Sequence, residues 1–259
     1  MSAGSSAPSD DAGAAGSAIA VGADGARGGW LVAVALGDGD VVRRTELRLV
    51  PTLAAVVGLG TTDAPVCVDV PIGLPEDQEL RACDLAARER LGARRSSVFE
   101  PPARFLLDAA DYPDARRMIA ERPGSRGVSA QAFALLPRIR EADGYLRGDA
   151  GARGRVHECH PEVAFAALVG AELPAKRSVA GAVRRLEALR ATSDLADVAE
   201  RLAAFDAPAR DAVLDDALDA YAALWSALRV RRGAAERLGA RPDGTTEEDA
   251  TGLPMSIVF

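Results

Sequence analysis

Val66-Cys67-Val68-Asp69-Val70-Pro71-Ile72-Gly73 is an apolar run broken by one charged residue and stopped by a proline and a glycine. A strand with one wet face alternates apolar and polar side chains. This run does not, so it predicts a strand covered on both faces, as in the interior of a parallel region. Upstream, Ile19 to Ala23 is a short apolar run ending at Asp24, followed by Gly25, Gly28 and Gly29. Trp30 to Leu36 reads as a second strand, Gly37-Asp38-Gly39-Asp40 as a turn, and Val41 to Val50 as a third strand. These three predict an antiparallel meander. Thr52 to Leu59, flanked by Pro51 and Gly60, predicts a short helix leading into the buried strand.

Downstream, Glu76 to about Arg147 is mostly helical in pattern, with breaks near Pro101-Pro102, Pro113 and Pro123-Gly124. Arg155 to His160 predicts a strand. Pro161 then opens a helix, where its missing N–H costs nothing. An Arg-rich segment precedes a helix near Ser193 to Phe205. A long helix is expected from about Ala209 to Arg231, with Leu214, Leu218, Tyr221, Trp225 and Leu228 as its apolar stripe. Arg241 to Ala250 is polar, and Leu253 to Phe259 is expected to add an edge strand. This order predicts an α/β fold, a mixed sheet with helices packed on it.

At 259 residues the chain suits one α/β domain. That domain is expected over 18–259, with a helical insertion around 76–147. Met1 to Ser17, rich in Ala, Gly, Ser and Asp, is expected to be a disordered leader, because it has too little apolar surface to offset its ordering entropy. It has neither the basic start nor the apolar stretch of a signal peptide, and no apolar run approaches the ~20 residues of a membrane span. A cytoplasmic protein without a membrane partner is expected.

The formal net charge of -7 argues against a protein that coats DNA without specificity, since phosphate binding is driven by cations. The charge is segregated, however. Arg81 to Arg147 holds 13 Arg against 9 Asp and Glu, a net +4, leaving -11 elsewhere. That segregation favours an anion-facing surface. The chain has 30 Arg and 1 Lys. Cys67, Cys83 and Cys159 are odd in number and far apart, so buried thiols are expected rather than disulfides or a structural zinc site.

Carboxylates carry the chemistry. Asp24 ends the first strand, where Gly25 leaves room for a ligand. Asp69 sits inside an apolar run, where a charge is costly unless compensated by a metal ion, a helix N-terminus or an arginine. In open α/β sheets, ligands gather at the carboxyl ends of strands. On the long helix, Asp216 and Asp219 are three apart and Asp215 and Asp219 four apart, so either pair shares a face. His157-Glu158-Cys159-His160-Pro161-Glu162 holds both histidines but matches no common zinc spacing. Glu162 falls in a first helical turn, where complementing the helix dipole is an alternative to a substrate role. Arg94, Arg95 and Arg104 are candidates to grip phosphate, with a solvated helix face as the alternative. Trp30, Trp225 and Tyr221 read most simply as core.

Several of these segments resemble a known family. Gly22-Ala23-Asp24-Gly25-Ala26-Arg27-Gly28-Gly29-Trp30 is similar to the opening of domain-of-unknown-function family 429, a family of predicted nucleases with a ribonuclease H-like fold. Val68 to Pro75, Arg81 to Asp84, Arg94 to Phe99, His157 to Glu162, Asp215 to Ala220 and Gly252 to Ile257 resemble it in the same order. The resemblance implies a ribonuclease H-like mixed sheet, a three-strand meander plus parallel strands. In that fold, acidic residues on the first strand, the fourth strand and a late helix hold two Mg2+ or Mn2+ ions about 4 Å apart, one activating water and one stabilising the leaving oxygen. Asp24, Asp69, Asp216 and Asp219 are similar to that set, and carboxylates suit such hard ions. The chain departs from the family at Ala130, where a lysine is usual, and at Ala26, where a cysteine is usual.

The resemblance therefore implies a metal-dependent nuclease, with Asp24, Asp69, Asp216 and Asp219 as ligands and Arg94, Arg95 and Glu162 near substrate. A non-catalytic nucleic-acid-binding or regulatory domain on the same scaffold is the alternative, favoured by the negative charge and Ala130. An actin-like phosphotransferase would need a second lobe and a second phosphate loop, and no internal repeat supplies them.

Overall fold

The computed structural model describes residues 16–77, 80–122, 124, 127–171, 173–206, 208 and 211–259. Most of the expected leader, through residue 15, lies outside them, as do Pro123 of the expected break and Ala209 at the expected start of the long helix.

Three long strands form the meander: β1 (Ser17–Ala26), β2 (Gly29–Asp38) and β3 (Val41–Val50). Each pairs antiparallel with the next, Ala26 opposite Gly29 and Asp38 opposite Val41. Helix α1 (Leu53–Leu59) follows. It is capped by Thr52, whose hydroxyl accepts from the Ala55 N–H at 3.2 Å. The chain then enters β4 (Val66–Val68), which pairs parallel to β1 with Ala23 opposite Val68.

Five helices intervene before the next strand: α2 (Ala82–Leu91), α3 (Tyr112–Ala120), α4 (Ala130–Ala134), α5 (Leu136–Gly148) and α6 (Ala150–Arg155). Strand β5 (Val156–Cys159) pairs parallel to β4. Helices α7 (Pro161–Val169), α8 (Val179–Arg190), α9 (Val198–Ala204) and α10 (Leu214–Arg231) follow. The short strands β6 (Arg237–Leu238) and β7 (Ile257–Val258) close the chain.

The result is a seven-stranded mixed sheet of order β3-β2-β1-β4-β5-β7-β6, flanked by ten helices among the described residues. It is an α/β fold consistent with the ribonuclease H-like expectation. One expectation is corrected. The C-terminal segment is not an edge strand, because β7 lies between β5 and β6, and β6 forms the edge. Ile257, Val258 and Phe259 are all buried, while Arg237 is exposed. An unbroken apolar triplet belongs inside a sheet and a charged dipeptide at its rim. Helix α8 was not expected. Its start lies in the Arg-rich segment, where Ser178 caps it by accepting from the Gly181 N–H at 3.0 Å.

The sheet carries a core on each face. Val66 and Val68 join Val21, Trp30, Leu53 and Ile139 on one side, and Cys67 joins Phe165, Leu218 and Tyr221 on the other. β4 is thus covered on both faces, as its lack of alternation predicts. Trp30 and Tyr221 are fully buried and Trp225 packs against the second core. All three cysteines are free and buried. Among the described residues no helix is long and apolar enough to cross a membrane.

Candidate metal centre

Three structural devices bring remote aspartates together. The first is strand register. Ala23 faces Val68 across the parallel β1–β4 pair, so the next residues, Asp24 and Asp69, stand side by side at the carboxyl end. The Asp69 N–H donates to the Ala23 carbonyl at 3.0 Å and holds that alignment past the end of β4. Residues at matched register project to the same face of a sheet.

The second device is Gly22. A Cβ built there would lie 2.5 Å from the Ala220 carbonyl oxygen and 1.9 Å from the Leu224 nitrogen. Only a glycine lets α10 lie this close to β1. That contact delivers Asp219, next to Ala220, to the strand ends. The third device is α10 itself, whose apolar stripe of Leu218, Tyr221 and Leu228 is buried against the sheet.

Carboxylate oxygens of Asp24, Asp69 and Asp219 lie within 4.8 Å of one another. Asp219 is buried and the other two are half-buried. Burial raises the Asp69 carboxyl to about 6, and the Glu162 carboxylate adds to the rise. Burial likewise raises Asp219 to about 6 and pushes Asp24 well above the ordinary range, with Asp69, Asp219 and Asp216 repelling its charge. Among the described residues no Arg or Lys forms an ion pair with Asp24 or Asp69. One cation serves the group, Lys176, whose Nζ donates to Asp219 Oδ2 at 2.8 Å. It is the chain's single lysine.

The cluster opens into a cavity of about 310 Å3 lined also by Arg81, Asp84, Arg94, Arg138, Glu158, His160 and Glu162, with Val98, Phe99 and Leu135 among its apolar walls. A second set of carboxylates here is held by a shared guanidinium. The buried Arg81 guanidinium reaches Asp84 at 2.7 and 2.9 Å and Glu158 at 2.7 Å twice, and also donates to the Ile72 carbonyl. This explains the Arg81-to-Asp84 motif as scaffold. It also sharpens the contrast with the aspartate trio, which shares one ammonium.

The remaining candidate residues fall into place as follows. Asp216 is not in the cluster. Its Oδ2 accepts from the Val213 N–H at 3.2 Å, so it caps α10 rather than facing the strand ends. Asp215 turns toward Arg177, 4.0 Å away. Glu162 is buried and clamped by Arg185 at 2.7 and 3.0 Å and by Arg94 at 2.7 Å, so its helix-dipole position is reinforced by two guanidinium groups. Arg94 also donates to the carbonyls of Leu173 and Pro174. It lines the cavity as a structural clamp. Arg95 is exposed and lies outside the cavity wall. Arg104 is engaged by Asp143 and Asp249. Gly25 lines the cavity beside Asp24, and a Cβ there would meet the Arg138 side chain, with Nε at 2.6 Å.

His160 Nε2 faces the Ser97 carbonyl at 3.2 Å, which makes Nε2 the protonated nitrogen and leaves Nδ1 a buried acceptor without a partner among the described residues. Burial lowers its pKa, so the ring is neutral near pH 7. His157, within β5, is pushed down to about 4 by burial.

Lys176, Arg138 and the Arg81 network escaped the sequence reading. Lys176 had one signal, its rarity: a lone lysine among 30 arginines marks a position where a compact ammonium is wanted. Arg138 stacks over the Trp30 ring at 5.0 Å and donates to the Ala26 carbonyl, contacts across more than a hundred residues that no local pattern reveals.

No curated protein and no solved structure is significantly similar to this chain. The family model described as protein of unknown function (DUF429) matches residues 22–244, from Gly22 through α10 and beyond, and the chain therefore belongs to the DUF429 family.

Proposed function

We propose that this protein is a Mg2+- or Mn2+-dependent phosphodiesterase of the cytoplasm acting on nucleic acid. The observation that supports this reading is the aspartate trio, three carboxylates with oxygens within 4.8 Å and one ammonium between them. The residues fit such an ion. The donors are all oxygens, which suit hard divalent cations. The cluster is also under-compensated, since burial and mutual repulsion raise all three carboxyl groups. A divalent cation removes that penalty. Asp24, Asp69 and Asp219 would hold it.

When bound, an ion of this kind polarises a phosphoryl oxygen and makes a nearby water more acidic. In the reaction, a water oxygen bonds to phosphorus and the bond from phosphorus to the leaving sugar oxygen breaks. One water proton ends on that oxygen and the other is released, giving a phosphate monoester and a hydroxyl. The chain's own groups support this step. The Lys176 ammonium sits beside Asp219 with a half-exposed stem and offers its remaining N–H donors to a phosphoryl oxygen. The apolar wall of Val98, Phe99 and Leu135 limits bulk water and strengthens electrostatic contacts in the cavity.

A second reading, a non-catalytic regulatory domain on the same scaffold, is favoured by one feature. Arg81, Arg94, Arg138 and Lys176, the cations that line the cavity, all have partners within the protein. Cleavage of a fluorophore-labelled oligonucleotide, single- and double-stranded, DNA and RNA, separates the two. Activity that appears with Mn2+, disappears with EDTA and falls at least ~100-fold in Asp24→Asn supports the nuclease. An Asp24→Asn protein as active as wild type overturns it.

A further inference from the structure

We propose that, without substrate, this site takes one divalent cation and not two, and that the Lys176 ammonium stands where a second would. The inference rests on the reading of the aspartate trio as a metal centre and concerns how many ions that centre can hold.

Two independent observations lead to it. A pair of divalent ions needs carboxylate oxygens on both sides of the pair, and the late helix is the place for the additional donor. Asp216 is the acid one turn before Asp219. Its Oδ2 instead accepts from the Val213 N–H at 3.2 Å. Turning it inward would leave the first turn of α10 without that cap. The fourth carboxylate is therefore committed elsewhere.

The other observation is the position of the lysine. Its Nζ lies 2.8 Å from Asp219 Oδ2, an oxygen that a second ion would need. Three carboxylates and one ammonium sum to -2, the charge that a single divalent cation cancels. Asp216 adds a further negative charge from outside the trio, where it acts on Asp24 without touching it. Asp84 and Glu158 are bound by Arg81, and Glu162 by Arg94 and Arg185. A second divalent ion at contact distance from the first, with an ammonium already present, would meet repulsion that Asp216, turned to the Val213 N–H, relieves only from a distance.

The ammonium differs from an ion in what it can do. It carries one charge and three N–H donors on a flexible stem, so it can hold a phosphoryl oxygen without needing six oxygen ligands of its own. Lys176 is thus assigned as a positioning and charge-balancing residue of the site.

The test counts ions directly. Mn2+ binding is measured by isothermal titration and by the electron paramagnetic resonance signal of free Mn2+, on the full chain. Wild type, Lys176→Met and Lys176→Arg are compared. The Lys176 side chain is 40% exposed, so its loss leaves the core intact. One ion per wild-type chain is expected. Lys176→Met should take up a second ion, or bind the first at least tenfold more tightly, and Lys176→Arg should return to one ion. Two ions on wild type would overturn this inference while leaving the metal-centre reading in place, as would a Lys176→Met titration identical to wild type. No uptake by any of the three would overturn both.

Discussion

Gly22 on β1 and Ala220 on α10 are in backbone contact, so close that a methyl group on Gly22 would sit 2.5 Å from the Ala220 carbonyl oxygen. The contact is the hinge of the account, because it seats α10 on the sheet and brings Asp219 to the ends of β1 and β4. Gly22→Ala should cost about 1–3 kcal/mol by overpacking. It should also weaken Mn2+ binding, because the helix must shift away from the strands. Urea unfolding with and without Mn2+ measures both, and an unchanged midpoint would show that the helix seats itself by other means.

Asp69 predicts a gain in stability on mutation. Its carboxyl rises from 3.8 to about 6 in the fold, chiefly through burial. The native state therefore binds this proton more tightly than the unfolded chain does. That contribution is full below about pH 4 and is lost as the pH rises through 6. Asp69→Asn, neutral at every pH, should match wild type near pH 4 and exceed it at pH 8 in EDTA by on the order of 2 kcal/mol. Added Mn2+ should raise the melting temperature of wild type and leave the variant unmoved. Thermal unfolding at both pH values checks the sign, which reverses if Asp69 is already well compensated.

Arg81 makes the opposite prediction from the same cavity. Its guanidinium bridges Asp84 and Glu158, and all three side chains are buried. Arg81→Leu leaves two buried carboxylates unanswered and should destabilise by about 3–5 kcal/mol. Circular dichroism during urea unfolding reports it. The contrast with Asp69→Asn separates the scaffold acids from the site acids.

Asp216 and Asp219 are three residues apart but should behave differently. Asp216→Ala removes a cap and should cost about 1 kcal/mol while leaving Mn2+ affinity within a few-fold of wild type. Asp219→Asn should abolish Mn2+ binding. Equal losses of affinity in the two variants would return Asp216 to the ligand set.

Proton competition gives the pH dependence of binding. Asp69 and Asp219 both rise to about 6, and an ion needs both deprotonated. Mn2+ affinity should fall roughly tenfold or more per pH unit below 6, and its rise above that pH is set by Asp24, whose carboxyl is held well above the ordinary range. Titration calorimetry between pH 5 and 8 checks it.

Much of this architecture was legible from local patterns. The unbroken run around Val68 is apolar on both sides, and β4 is buried on both faces. The meander followed from its turns, and Asp24 and Asp69 followed from their place at strand ends. What stayed hidden depends on contacts across long sequence separations. The Asp216 carboxylate looks as available as that of Asp219 until the cap at Val213 is seen. Arg94 and Arg95 read alike in sequence, yet one clamps Glu162 and the other faces solvent. The seven-residue run at the C-terminus looked terminal in space because it is terminal in sequence, but β6 pairs outside it. Lys176 lies 43 residues from Asp219, in a segment with no periodicity to place it.

Anomalous scattering locates directly a divalent cation held by Asp24, Asp69 and Asp219. Crystals grown in EDTA and soaked in Mn2+ should show one strong anomalous peak within coordination distance of an oxygen from each of the three. No peak at that position, or a peak only at exposed acids elsewhere, would contradict the account.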